Sequence, residues 1–267
     1  VASCDGCDDL ASRVASLPSD HPVIWLDSAR TNAATGRWSL LAYDPWIVCS
    51  ARGDRVELRT THATQRLRAH PLEALRTLLR RYAVPASARA RLGAVGRAVG
   101  LTGFLSYELN RWIEELPPPR VSGPRVPEMV WFGMRRAVLV DHVDQRSWMI
   151  SVADPHSPPP VAQRHAREAL EDLLTLRAQP DQSIGGVRLS ALSATSTQAE
   201  FERMVSRALE HIRSGDIFQA NLSQRFTAAL EGHQRPSALA LYQTLRRINP
   251  SPFACFLSWE DLAVVSC

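Results

Sequence analysis

Residues Ile212–Phe226 have the sequence I-R-S-G-D-I-F-Q-A-N-L-S-Q-R-F, which predicts the end of a helix, a turn and then a strand. Thr197 and Glu200 form a capping-box pattern that begins this helix. Gly215 suits the left-handed residue that ends it. Beyond the turn, apolar and polar side chains alternate, so we expect a strand with one apolar and one polar face.

The polar face of this predicted strand admits two interpretations. An antiparallel strand with one solvated face is common and needs no function. Gln and Asn are poor strand formers, however, and finding both in one strand slightly favours a strand that lines a polar cleft. The candidate cleft residues are Gln219, Asn221 and Ser223.

The rest of the chain alternates strand-like runs with occasional helical patterns. This order predicts an α+β fold in which antiparallel sheets are covered on the outside by helices. Residues 83–97 are small and arginine-rich, and we expect an exposed loop there. A Pro-rich break and a polar connector predict three regions: an N-terminal domain (1–153), a linking segment (154–186) and the start of a second domain (187–267).

Composition narrows the class of protein. The 267 residues are 45% hydrophobic and 22% charged, as in ordinary soluble globular proteins. No apolar run approaches the ~18 residues that span a bilayer, and no signal segment begins the chain. These features predict a cytoplasmic protein without a membrane partner.

The basic residues do not predict a nucleic-acid partner. The net charge is +4, but every basic residue is Arg and the arginines are spread along the chain. The densest group, Arg80 to Arg97, has no interleaved aromatic residue apart from Tyr82. Cys4 and Cys7 form a C-x-x-C pair with no second pair or His cluster at zinc spacing. We therefore expect neither nucleic acid nor a metal bound by the residues of this chain.

Three segments together carry a resemblance to a known family. The first is Leu26-Asp27-Ser28 followed by G-R-W-S-L-L-A-Y-D-P at 36–45, the second is Ile212–Phe226, and the third is N-P-S-P-F-A-C-F-L at 249–257. In this order and at these distances they resemble the chorismate-utilising enzymes, which include anthranilate synthase component I, aminodeoxychorismate synthase component I, and the isochorismate and salicylate synthases. The resemblance implies two orthogonally packed β-sheets with helices outside.

The resemblance also implies that the catalytic residues lie beyond Cys267. In the family, a general-acid Glu, a substrate-binding Gly-Thr loop and the carboxylates that hold Mg²⁺ come after this point. No catalytic residue and no Mg²⁺ ligand is therefore assigned within the chain, which we interpret as an incomplete gene product. We expect this chain alone to be inactive on chorismate.

A tryptophan pocket is a further implication of the resemblance, because many family members form one from the early Ser, the Gly-Arg-aromatic-Ser segment and the Asn-Pro-x-Pro turn. This chain departs from the family members that tryptophan inhibits at two positions: Asp27 stands in place of Glu, and Ala254 stands in place of Met. The alternative is that these residues only join two sheets. The residues carried over are Ser28, Thr35, Gly36, Arg37, Trp38, Pro252, Phe253 and Ala254.

Within the family, the aminodeoxychorismate branch is the more similar. Its signature has Asn where anthranilate synthases have Val, and here that position is Asn221. Ala254 and the Tyr107–Leu109 and Ile113–Pro117 segments resemble the same branch. The implied reaction converts chorismate and ammonia to 4-amino-4-deoxychorismate for p-aminobenzoate and folate, with Mg²⁺ as cofactor and a glutaminase subunit as ammonia source.

Two alternatives to this interpretation stay open. One is anthranilate synthase component I, which acts in tryptophan synthesis. The other belongs to a different class, a non-catalytic fragment that binds tryptophan.

Overall fold

The computed structural model describes residues 1–3, 9–18, 21–32, 34–117, 123, 126–175, 188–231 and 238–267. The described residues form two compact units: the first holds those within 1–117, 123–175 and 238–267, and the second holds 188–231. The predicted connector, residues 177–186, lies outside the described residues. This division into units does not test the predicted domain bounds, and the assignment of 187–267 to a second domain stays a prediction.

The strands in the described residues are antiparallel wherever they pair. Their bounds are β1 Ala2–Ser3, β2 Val23–Asp27, β3 Trp38–Arg52, β4 Arg55–Thr60, β5 Thr64–Arg68, β6 Leu101–Leu105, β7 Met129–Asp141, β8 Arg146–Ser151, β9 Arg188–Leu189, β10 Ser193–Ala194, β11 Phe226–Thr227, β12 Leu230–Glu231, β13 Ala254–Trp259 and β14 Leu262–Ser266.

The α-helices of the described residues are α1 Leu10–Ala15, α2 Pro71–Arg81, α3 Ala86–Leu92, α4 Pro159–Thr175, α5 Gln198–Ser214 and α6 Ala238–Ile248. Two short 3₁₀ helices span Gly93–Ala98 and Tyr107–Trp112. The expected mixture of antiparallel sheet and helices is confirmed.

Two long strands, β3 and β7, form the centre of the ten-stranded sheet. The first half of β3 pairs with β2 and the second half with β4, on the same edge of the strand. Likewise β7 pairs with β6 near its start and with β8 near its end. The sheet therefore divides into two arms, β14-β13-β2 with β8-β1, and β5-β4 with β6, that share β3 and β7.

The division between the arms falls at an irregularity in β3. The register with β7 shifts between Pro45 and Ile47. Asp44 has φ 59°, and its carboxylate accepts hydrogen bonds from Arg135 at 3.2 and 3.3 Å. Pro45 has no N–H to lose from the ladder, which suits a bulge.

Three core clusters follow from the strand alternation. We call the sheet faces that pack on α1, α2, α4 and α6 the outer faces and the opposite face the inner face. On the outer face of the first arm, Trp25 and Phe256 pack with α1, α4 and α6. On the inner face, Phe132 of β7 meets Trp259 of β13, with ring centroids 6.2 Å apart. On the outer face of the second arm, Val56 packs with the buried side of α2.

The capped helix is confirmed, but the strand after it is not. Helix α5 begins with a complete capping box at Thr197, and Gly215 is left-handed at its end. Residues 217–225 form no strand. A strand needs a neighbouring backbone to bond with, and within the predicted strand only its last residue, Phe226, lies in a ladder, where β11 pairs with β10.

The expected loop at 83–97 is also wrong, since it holds α3 and most of a 3₁₀ helix. Its alanines and arginines are good helix formers, and Val95 is buried in the inner-face core. Composition suggested solvent exposure, but helical propensity together with one buried apolar anchor decided the structure.

Gly133 provides a test of the packing at the division between the arms. A Cβ atom there would overlap the Trp46 indole and lie 2.8 Å from Ile47 Cγ2. We expect Gly133→Ala to lower the free energy of unfolding by ~1–3 kcal/mol, as overpacked cores do. Urea unfolding measures this.

Gly96→Ala is the matched control, because a Cβ atom at that position would meet its nearest neighbours at 3.5 Å. An equal loss of stability in the two variants would contradict the packing assigned to Gly133.

Candidate functional site

Two of the three sequence motifs meet at Ser28, at the end of β2. The Ser28 hydroxyl donates to the Trp38 carbonyl oxygen at 2.7 Å and lies 3.4 Å from the Pro252 carbonyl oxygen. The Ser28 N–H donates to Ser39 Oγ at 2.9 Å. Because β2 lies between β3 and β13, segments far apart in sequence become neighbours here. We call Ser28, the Trp38 carbonyl and the Pro252 carbonyl the Ser28 junction.

Beside the junction, the buried carboxylate of Asp27 is held by helix α6. Its side chain is 2% exposed. Tyr242 donates its hydroxyl to Asp27 at 2.8 Å, and Arg246 donates its guanidinium to the same carboxylate. Arg246 also lies over the Trp25 ring, 5.3 Å from its centroid.

The pKa values of the α6 side chains reflect this arrangement. Burial raises the pKa of Tyr242, and the nearby Asp27 carboxylate raises it further, so the phenol stays protonated and donating. Burial lowers the pKa of Arg246, but the hydrogen bond and the charge of Asp27 outweigh burial and raise it. The negative charge of Asp27 is therefore balanced by Arg246, and its carboxylate is hydrogen-bonded by both α6 side chains.

Sequence reasoning did not find this network. Tyr242 and Arg246 lie more than 200 residues from Asp27 in the sequence, so no local pattern links them. The available signal was the four-residue spacing of Tyr242 and Arg246, which puts both on one face of a helix.

Thr35 and Gly36 have structural roles in the turn that precedes β3. Asn32 Oδ1 accepts hydrogen bonds from the N–H groups of Ala34 at 3.0 Å and Thr35 at 2.7 Å. A Cβ atom on Gly36 would overlap the Arg30 carbonyl oxygen and lie 2.9 Å from the Asn32 nitrogen. Gly36 is thus required by close backbone contact.

The Arg37 guanidinium forms ion pairs with two carboxylates of the same chain. Its guanidinium pairs with Asp141 at 2.7 Å and Asp144 at 2.8 Å. It also lies over the Trp38 ring, 5.0 Å from the centroid.

Trp38 and Ala254 lie on different faces of the sheet. The Trp38 ring stacks on Trp148 at 6.3 Å and packs with the inner-face core. Ala254 is 2% exposed in the outer-face core. Phe253, just before it, is 72% exposed. Of the eight residues predicted to bind tryptophan, Ser28, Trp38 and Pro252 therefore meet at the junction. The eight side chains do not form one cluster, and their binding role stays a prediction.

The predicted cleft residues lie in the second unit and are exposed. Gln219 donates its amide to Asn221 Oδ1 at 3.1 Å. Asp216 accepts from the Ser214 hydroxyl at 2.8 Å and lies 2.9 Å from His211 Nδ1, which is a turn-capping arrangement. The assignment of Gln219, Asn221 and Ser223 to a cleft stays a prediction.

The described residues contain neither a metal-binding group of side chains nor a membrane-spanning helix. In that part of the chain, no three His, Cys, Asp or Glu side chains are grouped so that they could hold a metal ion. Nor does any helix there have the length and apolar composition needed to cross a membrane.

The Arg37–Asp141 pair makes stability depend on acid pH. Burial raises the pKa of Asp141, but hydrogen bonds from Arg37 and from the backbone N–H groups of Asp144 and Val143 hold it below the ordinary 3.8. A lowered carboxyl pKa contributes stability at pH values above 3.8 that is lost as pH falls through the lowered value. We expect Arg37→Gln to reduce this acid-dependent loss, measured as melting temperature between neutral pH and pH ~2.

Arg111→Gln is the control, since it removes an exposed pair with Glu108 within one helical turn. If Arg37→Gln and the unchanged protein lose stability in parallel over this range, the assigned role of the pair is wrong.

Comparison with known proteins agrees with this geometry. A family model described as chorismate binding enzyme matches residues 24–267. Anthranilate synthase component 1 of Synechocystis is 30% identical over 259 residues, which are 90% of this chain and 49% of that protein. Aminodeoxychorismate synthase component 1 of Salmonella typhimurium is 29% identical over 231 residues, which are 86% of this chain and 46% of that protein.

A solved structure shows the same fold. Anthranilate synthase component I of Streptococcus pneumoniae superposes with a TM-score of 0.61 at 22% identity, covering 85% of this chain and 48% of that one. The chain thus spans about half the length of the relatives it matches. Since the family match covers most of its residues, the chain belongs to the chorismate-binding enzyme family.

Proposed function

We propose that this chain is part of the aminating component of aminodeoxychorismate synthase, which converts chorismate and ammonia to 4-amino-4-deoxychorismate for p-aminobenzoate and folate. The observation that carries the proposal is Asn221. It occupies the signature position at which anthranilate synthases tend to have Val. Ala254, buried at 2% exposure where the inhibited enzymes have Met, supports the same branch. Named relatives of both branches are about equally similar, so overall identity favours neither.

The proposed roles follow the family resemblance. Residues 187–267 begin the chorismate-binding domain, and Gln219, Asn221 and Ser223 contribute amide and hydroxyl groups to its substrate cleft. Mg²⁺ supplies charge neutralisation for the substrate carboxylates, and its ligands, like the general acid, are expected after Cys267. A glutaminase subunit delivers ammonia, and the protein works in the cytoplasm.

Growth complementation tests the choice of product. We expect this chain, completed with the catalytic segment proposed to follow Cys267, to restore growth without p-aminobenzoate to a bacterium that lacks aminodeoxychorismate synthase component I. We expect no rescue of a bacterium that lacks anthranilate synthase component I and is grown without tryptophan. Supplying ammonium salts removes the need for a matching glutaminase.

Asn221→Val is the informative variant, because it replaces the branch-specific residue by the one typical of anthranilate synthases. Asn110→Val, at a residue outside all three motifs, is its control. Rescue of the tryptophan requirement alone would assign the protein to the anthranilate branch.

For the Ser28 junction we propose a structural role in joining the sheet to the turn at 249–253. The Ser28 hydroxyl donates within the protein, Arg37 is paired with two carboxylates and Asp27 is compensated by Arg246. An amino-acid ligand would have to displace one of these contacts.

Titration with tryptophan in a calorimeter tests this role. We expect no saturable heat up to millimolar tryptophan, with phenylalanine as the reference. Saturable heat that Ser28→Ala abolishes would establish the alternative, an amino-acid-binding site at the junction.

A further inference from the structure

An arginine-lined cavity opens at the end of the inner sheet face. Its volume is ≈ 740 Å³, within the range of small-molecule pockets. The walls come from the second half of β3, from β4 and β5, and from the end of β13 with the turn that follows it. We call this the arginine groove, defined by Arg52, Arg55, Arg66, Arg68 and Trp259.

Three of these arginines form a row across three neighbouring strands. Arg52 is directly opposite Arg55 in the β3–β4 ladder, and Arg55 is directly opposite Arg68 in the β4–β5 ladder. Directly opposed residues project from the same face with Cβ atoms about 5 Å apart, and like charges in this arrangement are destabilising. The fold thus concentrates positive charge at the rim of the cavity.

Carboxylates near the row offset only part of this charge. Arg68 pairs with Asp54 at 2.6 Å and Arg66 pairs with Glu57 at 2.7 Å. Glu260 is paired with Arg59 at 3.0 Å. The middle arginine, Arg55, makes no ion pair with any described residue.

Trp259 contributes an aromatic side chain to the lining of the groove, and its ring packs against Phe132 with centroids 6.2 Å apart. The residue is 6% exposed, so most of its surface is covered by the protein itself.

We propose that the arginine groove binds a small molecule that carries at least two negative charges. Guanidinium groups bind both carboxylates and phosphates through paired N–H donors. An anion at Arg55 also offsets the repulsion along the Arg52–Arg55–Arg68 row.

Calorimetric titration with inorganic pyrophosphate and with citrate, at constant ionic strength, tests the proposal. We expect saturable binding of at least one of them and a rise in melting temperature at saturation. Binding of pyrophosphate alone identifies a phosphate-bearing ligand, and binding of citrate alone identifies a carboxylate ligand. Binding of both supports the shared polyanion chemistry.

Arg55→Gln is the decisive variant. We expect it to weaken binding about tenfold or more, since a charged hydrogen bond is lost. Without ligand, its melting temperature should equal or exceed that of the unchanged protein, because the row loses its central repulsion. This second readout separates loss of the site from loss of the fold.

Arg76→Gln is the matched control, because Arg76 is exposed on α2, pairs with Glu73 and does not line the groove. It should bind as the unchanged protein does. The proposal is overturned if neither anion binds, or if Arg55→Gln binds with unchanged affinity.

Discussion

The buried contact between Asp27 and helix α6 is the constraint on which the arrangement of the first unit depends. Asp27 ends β2, the strand that pairs with both β3 and β13. A carboxylate removed from water is strongly unfavourable unless it is paired and hydrogen-bonded. Here it receives the Tyr242 hydroxyl and the Arg246 guanidinium. The position of α6 is therefore coupled to the sheet at the point where two family motifs meet.

The consequence for the site is that the polar groups of the family motifs bind one another. Ser28, next to Asp27, uses its hydroxyl for the Trp38 carbonyl and approaches the Pro252 carbonyl. The same β-strand alternation that buries Asp27 and Ala254 on the outer face sends Trp38 to the inner face. Residues of the first and third motifs are thus divided between two cores, and the Ser28 hydroxyl and the strand pairing keep their backbones together.

Local patterns predicted the capped helix, because its causes are local. The capping box at Thr197 and the glycine at 215 each act within one or two helical turns. The junction could be proposed only through family resemblance, since its hydrogen bonds join residues such as Ser28 and Pro252 that are 224 apart. The strand expected after Gly215 failed for the same reason: alternation is local, but a strand forms only where another backbone lies beside it.

A double-mutant cycle across Asp27 and Arg246 tests the central constraint most directly. Urea unfolding of Asp27→Asn, Arg246→Gln and the double variant gives the coupling free energy. We expect about 2 kcal/mol, somewhat less than for a fully buried pair because the Arg246 side chain is 36% exposed. The exposed Glu73–Arg76 pair should give about 0.3–0.5 kcal/mol in a parallel cycle. A coupling at Asp27–Arg246 no larger than at that exposed pair would contradict the account.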